Sequence, residues 1–253
     1  VSQLHHERLP ALGLSRGAQG ALVTLVEAAA KALGDDLAAV CVYGSAARGE
    51  WHDGRSDLNV LILLRTEELR RLEVLAAPLQ AARHAARIAP FLLTADELQR
   101  AADVYCIKLG DIATHHVCLL GADLLTDLQI HPRDLRFVCE FELRNTALRL
   151  RAGFLQHHGQ PADELATLLR LFSSTLIPLR ALCGLLGTPA PRATPEALGL
   201  LERLLGADGG VLRRLWDLHT RGGSRTAVQL RQDHEELSAV VRAALGRLDD
   251  LGA

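Results

Sequence analysis

A chain of 253 residues, 49% of them hydrophobic, is long enough to bury one large core or two ordinary ones. Twenty-eight basic residues against thirty acidic ones leave a formal charge of −2, so no global field favours nucleic acid or an anionic membrane, and any anion must be captured by a local site. The opening segment VSQLHHERLP has no basic stretch followed by an apolar one, and no window of about eighteen residues is free of charge, so neither secretion nor membrane insertion is expected.

From Gly17 to Gly34 the alanine-rich run GAQGALVTLVEAAAKALG predicts a helix ending on a glycine. LAAVCVYG (37–44) and LNVLILL (58–64) are short aliphatic runs bounded by Gly, Asp or Ser and apolar on both faces, the pattern of central strands. Helical spacing returns between Glu67 and Ala86. IAPFLLT (88–94) then reads as a third strand whose proline places it at an edge or a bulge. ADVYCIKL (102–109) and THHVCLL (114–120) are read as further strands. Cys41, Cys106, Cys118, Cys139 and Cys183 are an odd, widely spaced set lying mostly in apolar runs, as expected for reduced, buried thiols in a cytoplasmic protein.

After Leu128 the texture changes. From Pro132 to Ala253 the period is helical and is broken at HGQPAD, GTPAPRATPE, ADGG and RGGSR, which predicts four or five helices in a bundle. Thr194-Pro195-Glu196 reads as a helix start with Thr194 at the cap. The expected organisation is an α/β domain over 1–128 followed by an all-α domain over 129–253.

The chemically informative stretch is VYGSAARGEWHDGRSDLNVLILL. A strand ends at Tyr43, and Gly44-Ser45 lets the backbone approach a phosphate while the hydroxyl and the next amides donate to it; Arg48 adds a positive charge. Eleven residues beyond Ser45, the chain enters the next strand through Ser56-Asp57. Alternation along that strand puts Asp57 and Asn59 on one side and Leu58 and Val60 on the other, so one metal at the strand's start can touch both polar groups.

With Gly44-Ser45, Arg48-Gly49 and Ser56-Asp57-Leu58-Asn59 at this spacing, residues 20 to 128 resemble the DNA polymerase β-like nucleotidyltransferase superfamily, and the helical half resembles the accessory domain of small bacterial members. The resemblance implies a mixed sheet with helices and transfer of a nucleoside monophosphate from a nucleoside triphosphate to an unknown acceptor, with pyrophosphate leaving. It implies Gly44, Ser45, Arg48 and Ser56 on the nucleotide, and Asp57 with Asn59 as the catalytic pair holding Mg²⁺ or Mn²⁺. Two departures stand out. Asn59 replaces the family's second aspartate and offers a neutral carbonyl oxygen, which weakens the hold on a second metal. RIAPFLL, where the third carboxylate is sought, contains no acid; Asp111 and Glu140 are acids that lie off the motif.

On a helical wheel of residues 133–156, Phe137, Phe141, Leu148, Ala152 and Leu155 form one apolar stripe, and Leu143, Ala147, Leu150 and Phe154 another. Glu140, Arg144 and Arg151 fall between them, in the middle of an expected buried arc, where charges must be paired or must line a polar cleft. Glu140 and Arg144 at i, i+4 fit an intrahelical ion pair; the alternative is a substrate cleft contacting nucleotide or acceptor, for which Arg151 is the better arginine. The adjacent pairs His5-His6, His115-His116 and His157-His158 point apart and are not expected to bind zinc. Two other functions compete with the enzyme: a catalytically inactive protein that binds nucleotide or a partner protein, and a bundle that is itself the working half. A homo-oligomer is left open.

Overall fold

The computed structural model describes residues 4–207 and 209–251. It divides into two compact units, one running to Tyr105 and including Leu109–Ile130, the other comprising Cys106–Lys108 and the described residues from His131 onward.

In the first unit, α1 (Arg16–Leu33) starts where the Ser15 hydroxyl accepts the Ala18 N–H and stops at Gly34, whose φ of 55° suits a residue without Cβ. β1 (Leu37–Tyr43) follows, then a single turn, α2 (Ser45–Arg48), and β2 (Leu58–Leu64). The long α3 (Leu69–Ala86) leads into β3 (Ile88–Thr94), α4 (Ala95–Arg100), α5 (Cys106–Thr114) and β4 (His116–Gly121). The sheet order is β3-β2-β1-β4, with β1 antiparallel to both neighbours and β2 parallel to β3 across the α3 crossover. The sheet is therefore mixed, as expected, and Pro90 lies in an edge strand, where its missing N–H is tolerated.

β1 and β2 are apolar on both faces because each face meets a core. Val40, Val42, Leu58, Val60 and Ile62 pack with Leu22, Val26 and Leu75 from α1 and α3, whereas Cys41, Tyr43, Leu61 and Leu63 pack with Leu109 and Ile112 from α5. The strand expected over 102–109 is absent: the chain turns through 101–105 and enters α5. Cys106, Leu109 and Ile112 recur every three residues and are all fully buried, so the short apolar run belongs to a helical face rather than a strand. All five cysteines are free and buried.

The second unit contains α6 (Pro132–His157), α7 (Pro161–Leu185), α8 (Thr194–Leu205), α9 (Val211–Arg221) and α10 (Ala227–Asp250), separated at the expected breaks. The cap of α8 is Ala193 rather than Thr194, which is buried inside the first turn. α7 is long and apolar enough to cross a membrane by length and composition, and half of its most apolar window is buried within the protein. α6 packs on α7 and α10 through Cys139, Leu143, Thr146, Leu150 and Gly153. The other stripe, Phe137, Phe141, Leu148 and Leu155, is 57–75% exposed. Glu140, Arg144 and Arg151 therefore do not sit in the middle of a buried arc, because one stripe suffices to seat the helix and the charges flank it, with Glu140 half-buried and both arginines exposed.

The bundle also buries charge. Asp233, 1% exposed, has Arg225 Nε at 3.0 Å and Arg214 Nη2 at 3.1 Å, and Arg214 reaches Glu236 at 2.5 Å. Its neighbour His234 stands 3.8 Å from Glu164 and edge-on to Phe154, and burial lowers its pKa from 6.5 despite the two nearby acids.

Candidate active site

The ladder between β1 and β2 positions the site. Tyr43 pairs with Asn59 at its end, and the chain then leaves β1 through Gly44, at φ 74° and ψ −143°, a conformation open in practice only to glycine. A Cβ on Gly44 would lie 2.9 Å from Asn59 Nδ2, so the turn rests directly on the amide of β2. Ser45, half-buried, opens α2, and the Gly44 and Ser45 carbonyls accept the N–H groups of Arg48 and Glu50. Gly44-Ser45 and Asn59 are thus brought together.

Asp57 and Asn59 flank Leu58, which is buried in the core on the α1–α3 side, so by alternation both polar residues face the α5 side with Leu61 and Tyr43. Ser56 closes the preceding loop: its hydroxyl accepts the His52 N–H at 3.2 Å, and its own N–H donates to the His52 carbonyl at 2.9 Å. Arg48 does not stand free for a phosphate. Its guanidinium donates to Asp111 Oδ2 at 3.2 Å and to Glu50 Oε2 at 3.4 Å with only 15% of the side chain exposed, so its charge is balanced inside the unit. Asp111 lies under the end of β1: with burial as the larger cause and the charge of Asp111 adding to it, the Tyr43 phenol is pushed up to about 12.

The sequence reading missed Arg87. Its Nε and Nη2 donate to Asp57 Oδ1 at 3.0 and 2.9 Å, with both side chains about half exposed. The parallel register pairs Leu58 with Ile88, which sets the residues just before them, Asp57 and Arg87, side by side. No local spacing carries that signal; it needs the pairing of two strands thirty residues apart.

Residues 24–144 match the nucleotidyltransferase domain family. The α/β unit is a member of the nucleotidyltransferase superfamily. Among solved structures, the spectinomycin adenyltransferase AAD(9) from Enterococcus faecialis, solved with ATP and spectinomycin, is similar in fold, with a TM-score of 0.54 at 14% identity over 91% of this chain and 98% of that one. No curated protein matches the chain.

Nucleotidyltransferases generally use divalent metals, and the donor set here can be tested against that need. Asp57 contributes one carboxylate and Asn59 one amide oxygen, which suits one hard cation completed by oxygens of a polyphosphate. It does not suit two. The β3 residues paired with Asn59, Leu61 and Leu63 are Ala89, Phe91 and Leu93, none of them an acid, and among the described residues no group of three or more His, Cys, Asp and Glu is arranged to hold a metal ion. Of the residues singled out on α6, Arg144 bonds Glu140 at 2.7 Å and Asp249 at 3.4 Å, while Arg151 donates to the Ala147 carbonyl at 3.1 Å and forms no ion pair among the described residues.

Proposed function

We propose that this nucleotidyltransferase transfers a nucleoside monophosphate from a nucleoside triphosphate to an acceptor hydroxyl, at a site built from Gly44, Ser45, Asp57 and Asn59 with one divalent cation. The observation that carries the reading is the contact of the Gly44 turn with Asn59, two residues from Asp57, inside a domain of this family. Asp57 and Asn59 would hold Mg²⁺ or Mn²⁺, which when bound neutralises the polyphosphate and favours attack at the α-phosphorus. Gly44 supplies the turn conformation that a residue with a Cβ rarely adopts, and the Ser45 hydroxyl that follows it is the proposed donor to phosphate. Ser56 holds the entry to β2. Arg48, retained by Asp111 and Glu50, orders α2 rather than binding phosphate. That the similar adenyltransferase was solved with ATP supports a nucleoside triphosphate as donor.

The test is incubation of the purified chain with labelled nucleoside triphosphates, Mg²⁺ or Mn²⁺ and panels of hydroxyl-bearing acceptors. Metal-dependent transfer of label, lost in Asp57→Ala, is the expected result. A reproducible lack of transfer, unimproved by Asn59→Asp, would favour a second reading, an inactive nucleotide-binding protein. That reading draws on the ion pair occupying Asp57 Oδ1 and on the apolar residues opposite Asn59 and Leu61.

A further inference from the structure

Arg87 is the one non-glycine residue among those described with a positive φ, 51°. The left-handed region costs an ordinary L-residue on the order of 1 kcal/mol, and glycine occupies it without that strain. Its backbone role needs no side chain: the N–H of Arg87 caps α3 on the Arg83 carbonyl at 2.9 Å, and its own carbonyl accepts the Leu58 N–H at 3.2 Å. Glycine would make both bonds. What arginine adds at this strained position is the guanidinium, and both of the nitrogens it brings within hydrogen-bond range of Asp57 meet the same oxygen, Oδ1.

We propose that Arg87 is a displaceable counter-ion: its guanidinium occupies the place of the divalent cation on Asp57, keeps free metal off the site, and yields when the cation arrives with a polyphosphate whose oxygens receive the displaced charge. This rests on reading Asp57 as the ligand of the cation, and it makes Arg87 a positioning residue that couples metal to nucleotide. Charge makes the exchange workable. With one carboxylate and one neutral amide, the site cannot bind a cation and a guanidinium together without uncompensated positive charge, whereas a polyphosphate supplies the missing anions. The half exposure of both partners keeps the pair weak enough to open.

The experiment measures Mn²⁺ binding by electron paramagnetic resonance on the full chain, with and without α,β-methylene-ATP, whose α–β linkage cannot be cleaved. The proteins are the unsubstituted chain, Arg87→Gly, Arg87→Lys and Asp57→Asn. Because glycine suits φ 51°, Arg87→Gly is expected to fold at least as well, checked by its melting temperature. Arg87→Gly is expected to bind Mn²⁺ alone about three- to ten-fold more tightly, with Arg87→Lys in between, while the factor by which the nucleotide analogue raises Mn²⁺ affinity shrinks. An unchanged affinity for Mn²⁺ alone, or an unchanged enhancement by nucleotide, overturns the proposal while leaving the role of Asp57 standing if Asp57→Asn still abolishes binding. Mn²⁺ binding that is indifferent to Asp57→Asn in every background overturns both.

Discussion

Gly44 and Asn59 are packed so closely that a methyl group on the first would meet the side-chain nitrogen of the second at 2.9 Å. The contact ties the end of β1 to the start of β2, and it explains why a glycine is needed there twice over, once for its backbone and once for its missing side chain. Gly44→Ala is therefore expected to destabilise the chain by about 1–3 kcal/mol in denaturant titration and to weaken nucleotide binding beyond what the loss of stability accounts for. A variant as stable as the parent that binds nucleotide equally well would remove the turn from the site.

Asn59 is the position where the proposed metal site would fall one charge short. Asn59→Asp changes one atom and adds a carboxylate beside Asp57, so label transfer at limiting Mg²⁺ should rise about tenfold or more, with half-saturation at a lower metal concentration. Initial rates across a metal titration check this. No gain at any metal concentration would mean that Asn59 does not face the cation.

Asp233 is enclosed with two arginines in the bundle, and removing it leaves charge with no partner. Asp233→Ala is expected to cost about 3–5 kcal/mol by chemical unfolding. The double substitution of Asp233→Leu with Arg225→Met removes acid and base together and should recover much of that loss, since Arg214 keeps Glu236.

His234 makes the helical unit acid-sensitive. Burial holds its folded pKa below the ordinary 6.5, against the opposing pull of Glu164 and Asp233. Below pH 6.5 the unfolded chain takes up a proton that the folded chain resists, so this contribution to stability is complete above that value and declines as pH falls through the folded pKa. Melting temperatures between pH 7.5 and 5 should show this decline, and His234→Gln should flatten it. An identical pH profile for the variant would assign the acid sensitivity elsewhere.

Much of the frame was legible in the chain itself. β1 and β2 read as central strands because each is covered on both faces and so shows an unbroken apolar run, and Pro90 marked the edge strand through its missing donor. α5 was misread because a run as short as CIKL fits a strand as well as a helix, and only Leu109 and Ile112 against the sheet decide it. On α6 the wheel found both apolar stripes but could not tell which one α7 and α10 would cover. At the candidate site, the meeting of the Gly44 turn with Asn59 was readable from spacing within one segment. The ion pair of Arg87 was not, because it arises from strand register, and neither was the capture of Arg48 by Asp111, sixty-three residues away.

The most direct test of a nucleotidyl-transfer site built on a single acid is calorimetric titration with α,β-methylene-ATP, with and without Mg²⁺, on the unsubstituted chain and on Asp57→Ala. Binding that requires Mg²⁺ and disappears in Asp57→Ala is the expected result. Binding of equal strength without metal, retained in Asp57→Ala, would contradict it.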